Sequence, residues 1–272
     1  MTARGCWIVA GVECTKLLAQ TTARIALAVC AIGPFVFAVL VNLQDALPED
    51  TLFGRSVKES GFAVSLVILG FAGLWLLPVV ASLVSGDVFA AEDRHGTWKT
   101  VLTRSRSRAE IFAGKAMVAA GFSCLAVAVL AASSMAAGAL VIGRQPLVAL
   151  TGVPLSPADA TSRVLLAWTS VLPPVLAFTA LALLCSVATR SSAAGIGLPV
   201  TAGLAMQLYA FIDGPEPLRQ AFIASGFGAW HGLLAEPPFH GPIVYGGIVS
   251  AIYVIMCTLL AYRLLLRRDI GG

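Results

Sequence analysis

The stretch Glu92–Lys115, EDRHGTWKTVLTRSRSRAEIFAGK, holds six Lys/Arg and three Asp/Glu in a chain that is otherwise mostly hydrocarbon. The 272 residues are 58% hydrophobic and 12% charged, with a mean hydropathy of +0.89. Soluble domains carry about 25% charge, so the composition specifies an integral membrane protein. A polar island between apolar runs has two readings. It is the basic loop that orients a membrane protein, or it is a folded element that meets a soluble partner.

A helix needs about 20 apolar residues to cross a hydrocarbon core of roughly 30 Å. Six segments qualify, at residues 25–43, 62–84, 116–142, 164–187, 193–212 and 243–266, and none holds a charged residue before Arg263. The expected fold is therefore all-α, one transmembrane domain over residues 1–272 with six spans. Six spans place both termini on one side. That side, which includes the island, carries thirteen of the 18 Lys/Arg, and the other carries Arg55, Lys58, Arg144, Arg163 and Arg219. The positive-inside rule then puts the termini and the island in the cytoplasm.

Ahead of the first span, residues 3–20 place Trp7, Ala10, Gly11, Cys14, Leu17 and Leu18 at helical spacing, with Glu13, Lys16 and Gln20 on another face. That pattern predicts an amphipathic helix lying at the interface. A frayed leader is the alternative, because Ile8, Val9 and Val12 blur the polar face. The polar character of these residues also argues for a retained first span over a cleaved signal. On the outer side, Ser156-Pro157-Ala158-Asp159 offers an N-cap, Pro at the first position and Asp at the third. Residues 213–242 are rich in Gly and Pro and contain Phe222, Phe227, Trp230 and His231. They read as short interfacial or re-entrant helices, or as a plain external loop.

Several chemistries find no residues. Uncharged span interiors give no intramembrane proton relay. His95, His231 and His240 are far apart and share no metal spacing. The six cysteines form no CxxC pair. No hydrolase motif occurs, and Ala113-Gly114-Lys115-Ala116 lacks the remainder of a phosphate loop. The expectation is a chain that is not itself an enzyme and holds no cofactor or metal. No internal repeat of the kind found in many secondary transporters is visible.

Within the island the punctuation is dense. Residues 62–95 would make a helix of about 51 Å, long enough to project beyond the membrane. Gly96 suits a left-handed C-cap, and Thr97 can cap a short helix to Leu102 or Thr103. Trp98, Val101 and Leu102 fall on one face of that helix. Ser107 and Glu110 form an S-x-x-E capping box, which opens a third helix carrying Lys115 into the next span. An orientation loop needs only charge, so these caps favour a docking element that presents Trp98, Val101 and Leu102.

The run Glu92-Asp-Arg-His-Gly96-Thr97-Trp-Lys-Thr-Val-Leu102-Thr103, with Ser107-Arg108 through Gly114-Lys115, resembles the cytoplasmic segment of type-2 exporter permeases of ATP-binding-cassette (ABC) transporters. The opening Glu13-Cys-Thr-Lys16-Leu17 is similar to the Glu-x-x-Lys-Leu of their interfacial helix. A Pro commonly precedes the Ser-Arg in that family; this chain has Ser105 near that place.

The resemblance implies a coupling helix within residues 92–115. It also implies a separate cytoplasmic ATPase carrying ATP and Mg, and a second permease copy or related permease. The setting would be the bacterial inner membrane, in contact with its lipids, with no role for nucleic acid. Coupling would fall to Glu92, Gly96, Thr97, Trp98, Val101, Leu102, Arg108 and Lys115, aided by Trp7, Glu13 and Lys16 of the interfacial helix. The implied cargo is a drug, antibiotic, lipid or peptide-like molecule. The competing classes are a stand-alone carrier or channel, and a membrane protein for assembly or sensing.

Overall fold

The structure is a computed structural model that describes residues 3–44, 56–98, 107–150, 152–209, 212 and 215–267. Among these residues the fold is all-helical apart from an isolated antiparallel bridge between Val148 and Pro154. Helix α1 is Ala3–Ala19, α2 is Thr21–Leu43 and α3 is Gly61–Ser85. A short α4 (Ala90–Arg94) precedes α5 (Arg108–Ile142). Then come α6 (Pro157–Ser170), α7 (Leu172–Thr189), α8 (Ser192–Tyr209) and α9 (Glu216–Gln220). A 3-10 helix, Ile223–Leu234, leads to α10 (Gly241–Leu266).

Among the described residues, five helical stretches are long and apolar enough to cross a membrane: α2, α3, α5, α6 with α7 (Pro157–Thr189), and α10. The fifth expected span, 193–212, corresponds to α8, which has 18 residues and an internal Pro199. At about 27 Å it is shorter than each of those five stretches. It nonetheless runs between the two ends of the bundle. Its first residue, Ser192, donates a hydrogen bond to Asp87, and Tyr209 stacks edge-on against Phe222 at 5.2 Å.

Helix α7 lies at the centre, packed by α3, α5, α8 and α10. Its buried face is built largely of small side chains (Ala177, Ala180, Ala182) around Phe178, which lets neighbouring backbones come close. Polar bonds join the spans in the interior. Trp168 Nε1 donates to Ser65 Oγ at 2.9 Å, Ser65 and Ser134 hydroxyls are 2.8 Å apart, and so are those of Ser123 and Thr179. Such bonds average about 0.6 kcal/mol in a membrane bundle, so they set register more than they supply stability.

One expected boundary shifts, and two hold. Helix α3 does not continue to His95; it stops at Ser85, and the chain turns through Gly86 before α4. A Cβ on Gly86 would lie 2.5 Å from the Gly195 carbonyl, so the backbones of α3's end and α8's start are in contact there. The hydroxyl of Ser186 on α7 then accepts from the Phe89 and Ala90 N–H groups at 3.3 and 3.0 Å. A third helix opening at Ser107 is borne out, and α5 is continuous from Arg108 into the span. The Ser156 N-cap is also as expected, accepting from the Asp159 N–H at 3.1 Å.

Of the segment 213–242, the described residues 215–242 contribute more than a plain loop. The 3-10 helix buries Ile223, Phe227, Trp230, Leu233 and Leu234 among the spans. Phe227 stacks on Phe178 at 5.9 Å and lies against Gly73, inside a π-helical turn of α3 at Ala72–Leu76. Arg163 of α6 secures its end, donating to the Leu233 and Ala235 carbonyls, each at 3.2 Å. This element therefore packs into one end of the bundle. At the other end lie α1, α4 and the start of α5.

Candidate functional site

At that charged end, α1 lies across α5. The contact is close because Gly114 has no side chain: a Cβ there would sit 2.6 Å from Val9 Cγ1. This approach brings the next residue, Lys115, under α1 and beside α4. Its side chain is 1% exposed, and its ammonium group lies 2.9 Å from Glu13 Oε2 and 3.0 Å from Glu92 Oε1. It also donates to the Val88 carbonyl at 3.0 Å and lies 5.8 Å from the Phe89 ring centroid. Lys16 closes the cluster from outside, 2.9 Å from Glu13 Oε1 and 3.1 Å from Glu92 Oε1. Two lysines and two carboxylates thus join three elements that are far apart in sequence.

Glu92 is the hub. Burial alone would raise its carboxyl, but the Lys115 charge and hydrogen bonds from Thr97, Lys115 and Lys16 outweigh it and hold the group at about 2. For Lys16, burial acts to lower the ammonium, but hydrogen bonds and charge from Glu13 and Glu92 leave it raised. The Thr97 hydroxyl donates to Glu92, and the Thr97 N–H donates to the Glu92 carbonyl at 3.0 Å. That turn requires Gly96 in the left-handed region, at φ +63°, as the C-cap reading predicts. Gly96 and Thr97 therefore fold the chain back onto Glu92.

An aromatic stack supports the cluster. Trp98 lies 6.4 Å from Phe89, Phe89 lies 5.6 Å from Phe112, and Phe112 meets Tyr262 of α10 at 5.4 Å. Trp98 is buried, which corrects the expectation that it is presented to a partner. It anchors the segment because Phe89 offers an apolar ring surface next to it. Val101 and Leu102 lie outside the described residues. Arg108 lies on the border of α10, donating to the Leu265 and Leu266 carbonyls at 3.2 and 2.8 Å and so capping that helix. The Ser107–Glu110 capping box is present, with both bonds at 3.2 Å.

Helix α1 also differs from its predicted amphipathic pattern. Cys6, Ala10 and Leu17 are buried, with Glu13 half-buried on the same stripe, while Trp7, Gly11, Cys14 and Leu18 are exposed. Glu13 was expected beside Lys16 on a polar face; it turns inward because Lys115 is its counter-ion. The sequence gives no local sign of Phe89, Phe112 or Ser186 as members of this site. Asp87, Arg94 and Ser192 were missed too; Asp87 is 3.4 Å from Arg94, and Arg94 donates to Ser192 at 3.1 Å.

The cluster's cations are engaged by carboxylates, and its groups hold α1, α4 and α5 together. At the opposite end, a cavity of about 810 Å³ opens between α8, α9, the 3-10 helix and α10. Gln207, Glu216, Arg219 and His231 line it together with Met206 and Phe222. Burial lowers the His231 imidazole, although its hydrogen bond to the Gly228 carbonyl acts the other way.

The family model for the ABC-2 family transporter protein matches residues 11–204. The chain belongs to this family. The matched stretch runs from α1 through α8 and contains Glu13, Lys16, Glu92 and Lys115. No curated protein matches the chain. As an ABC-2 protein it is a multi-pass permease of an ABC transporter, and membership implies a partner ATP-binding subunit.

Proposed function

We propose that this ABC-2 permease is the membrane subunit of an ATP-driven exporter in the bacterial inner membrane. Two permeases, identical or related, form the pathway, each with six spans and with both termini in the cytoplasm. The six-span reading is supported by α8, whose contacts reach both ends of the bundle. Separate ATPases bind ATP and Mg and hydrolyse the ATP; the chain itself breaks no bond. The cargo is an amphiphile such as a drug, antibiotic, lipid or peptide-like molecule, a reading favoured by the mixed lining of the 810 Å³ cavity.

The observation that carries this reading is the buried cluster of Glu13, Glu92 and Lys115. It fastens together the elements bordering residues 99–106 in sequence, so a push on that segment by a partner reaches α4, α5 and α1 as one body. Trp98 and Arg108 extend the connection to α10. Glu92, Gly96, Thr97 and Lys115 therefore shape the coupling segment, and Val101 and Leu102 are its candidate contacts.

The test is co-purification with an ATP-binding subunit, followed by transport from proteoliposomes. Glu92→Gln should keep the subunit bound and ATP hydrolysis running while lowering ATP-driven transport about tenfold or more. If no such subunit associates, or transport runs on a proton gradient without ATP, the chain is a stand-alone carrier instead.

A further inference from the structure

A groove of about 240 Å³ opens between α1, α2 and α5, separate from the ion cluster. Leu17 and Leu18 of α1, Leu27 of α2, and Phe122 and Leu125 of α5 form its walls. On α5 the lining recurs as Val118, Gly121, Phe122 and Leu125, which follows about 10 Å of helix axis. Gly121 leaves the channel open, since a Cβ added there meets nothing within 4 Å. The lining includes no carboxylate.

One end of the groove carries a charge. Arg24, in the first turn of α2, lines it and is exposed. Its Nε donates to the Leu18 carbonyl at 2.6 Å, which holds the guanidinium against the last turn of α1. Among the described residues that is the one hydrogen bond of the guanidinium. A guanidinium has five N–H donors in a planar fork suited to phosphate oxygens. Glu13, the acidic residue of α1, is engaged by Lys16 and Lys115. Arg24 thus stands at the junction of α1 and α2, with an apolar channel leading from it toward the middle of the bundle.

We propose that this groove binds an anionic phospholipid, one acyl chain lying along Val118–Leu125 and the phosphate resting on Arg24. The apolar walls suit hydrocarbon, and the single unopposed cation selects a headgroup with net negative charge. Basic side chains at helix boundaries attract such lipids through the surface potential, screened by salt. The bound lipid would touch all three helices and so hold α1 against the spans by a second means, beside the Lys115 cluster. The site requires no ATPase partner, so its test stands apart from that of the transport reading.

The experiment is native mass spectrometry of the full chain released from nanodiscs containing equal DOPG and DOPC. The wild type should retain DOPG in preference to DOPC. Arg24→Gln should lower DOPG retention roughly fivefold, the factor associated with one basic residue near a membrane surface, with DOPC unchanged. Gly121→Leu should lower retention of both lipids, because it fills the channel while leaving Arg24 in place. Raising the salt concentration during release should weaken DOPG retention by the wild type, a readout that needs no variant. Addition of inorganic phosphate at matched ionic strength should not displace DOPG; if it does, Arg24 is a free-anion site and the proposal fails. Equal retention of the two lipids, or DOPG retention indifferent to both Arg24→Gln and salt, would also overturn it.

Discussion

Replacing Lys115 by Met removes one charge and leaves two carboxylates facing each other under α1. Lys115 is 1% exposed and makes three contacts of 2.9–3.0 Å, to Glu13, Glu92 and the Val88 carbonyl. Breaking a buried ion pair by removing one partner costs about 3–5 kcal/mol, because the other charge stays buried. Lys16 still reaches both Glu13 and Glu92, and its solvent exposure limits what it can offset. The lower end of the range, about 3 kcal/mol, is therefore expected for Lys115→Met. At roughly 2–4 °C per kcal/mol for a chain of this size, the thermal unfolding midpoint in detergent should fall by about 6 °C or more. The double variant Lys115→Met with Glu92→Gln removes much of the stranded charge and should recover part of that loss, a positive coupling in a double-mutant cycle. A drop below about 1 °C, or a double variant no more stable than Lys115→Met alone, would refute a buried cluster held by Lys115.

Other consequences follow from the same end of the molecule. Glu92 is held at about 2, below its ordinary 4.5, so its stabilising effect is present above pH 4.5 and is lost as pH falls toward 2. The wild-type unfolding midpoint should decline through that window, and Glu92→Gln should decline less over the same pH series. Gly114→Leu should push α1 off α5, since even a Cβ would overlap Val9; the buried Cys6 should then react with a maleimide at least tenfold faster. Arg108→Gln should cost about 1.5–3 kcal/mol through the lost charged hydrogen bonds to Leu265 and Leu266. Faster amide exchange confined to the last turn of α10 is the readout for that change.

What was legible in the sequence was mostly local. The Gly96 cap, the Ser107–Glu110 box and the Ser156 cap are decided within four residues, and each lies where its pattern places it. The apolar runs are legible for a similar reason, because hydrocarbon thickness sets a length that hydropathy can report. Contacts between helices are different. Lys115 meets Glu13 across 102 residues and Glu92 across 23, and periodicity says which face of a helix is polar without saying what that face meets. Glu13 and Lys16 share such a face, yet one turns inward and the other outward. The Gly114-Lys115 pair, which the resemblance singles out, also has a physical reading: a Gly directly before a Lys, at the border of a span, marks a place where a backbone can approach and a charge must find partners.

The same distinction explains why Trp98 reads one way in sequence and another in space. A Trp beside Val and Leu at helical spacing looks like a docking face, but an aromatic side chain at a membrane border is equally able to fill a local core. Phe89 decides between the two, and Phe89 lies on the far side of the Gly96 turn. Because the turn returns Thr97 to Glu92, it also lays Trp98 beside Phe89. One backbone reversal thus creates both the ion cluster and the aromatic stack. A change at Gly96 should therefore disturb both, and Gly96→Val, a β-branched residue where φ is +63°, should lose the Lys115 coupling and expose Trp98 together. Measuring Trp98 fluorescence quenching alongside the Glu92–Lys115 double-mutant cycle in this variant separates the possibilities: loss of one without the other would mean that the turn does not unite them.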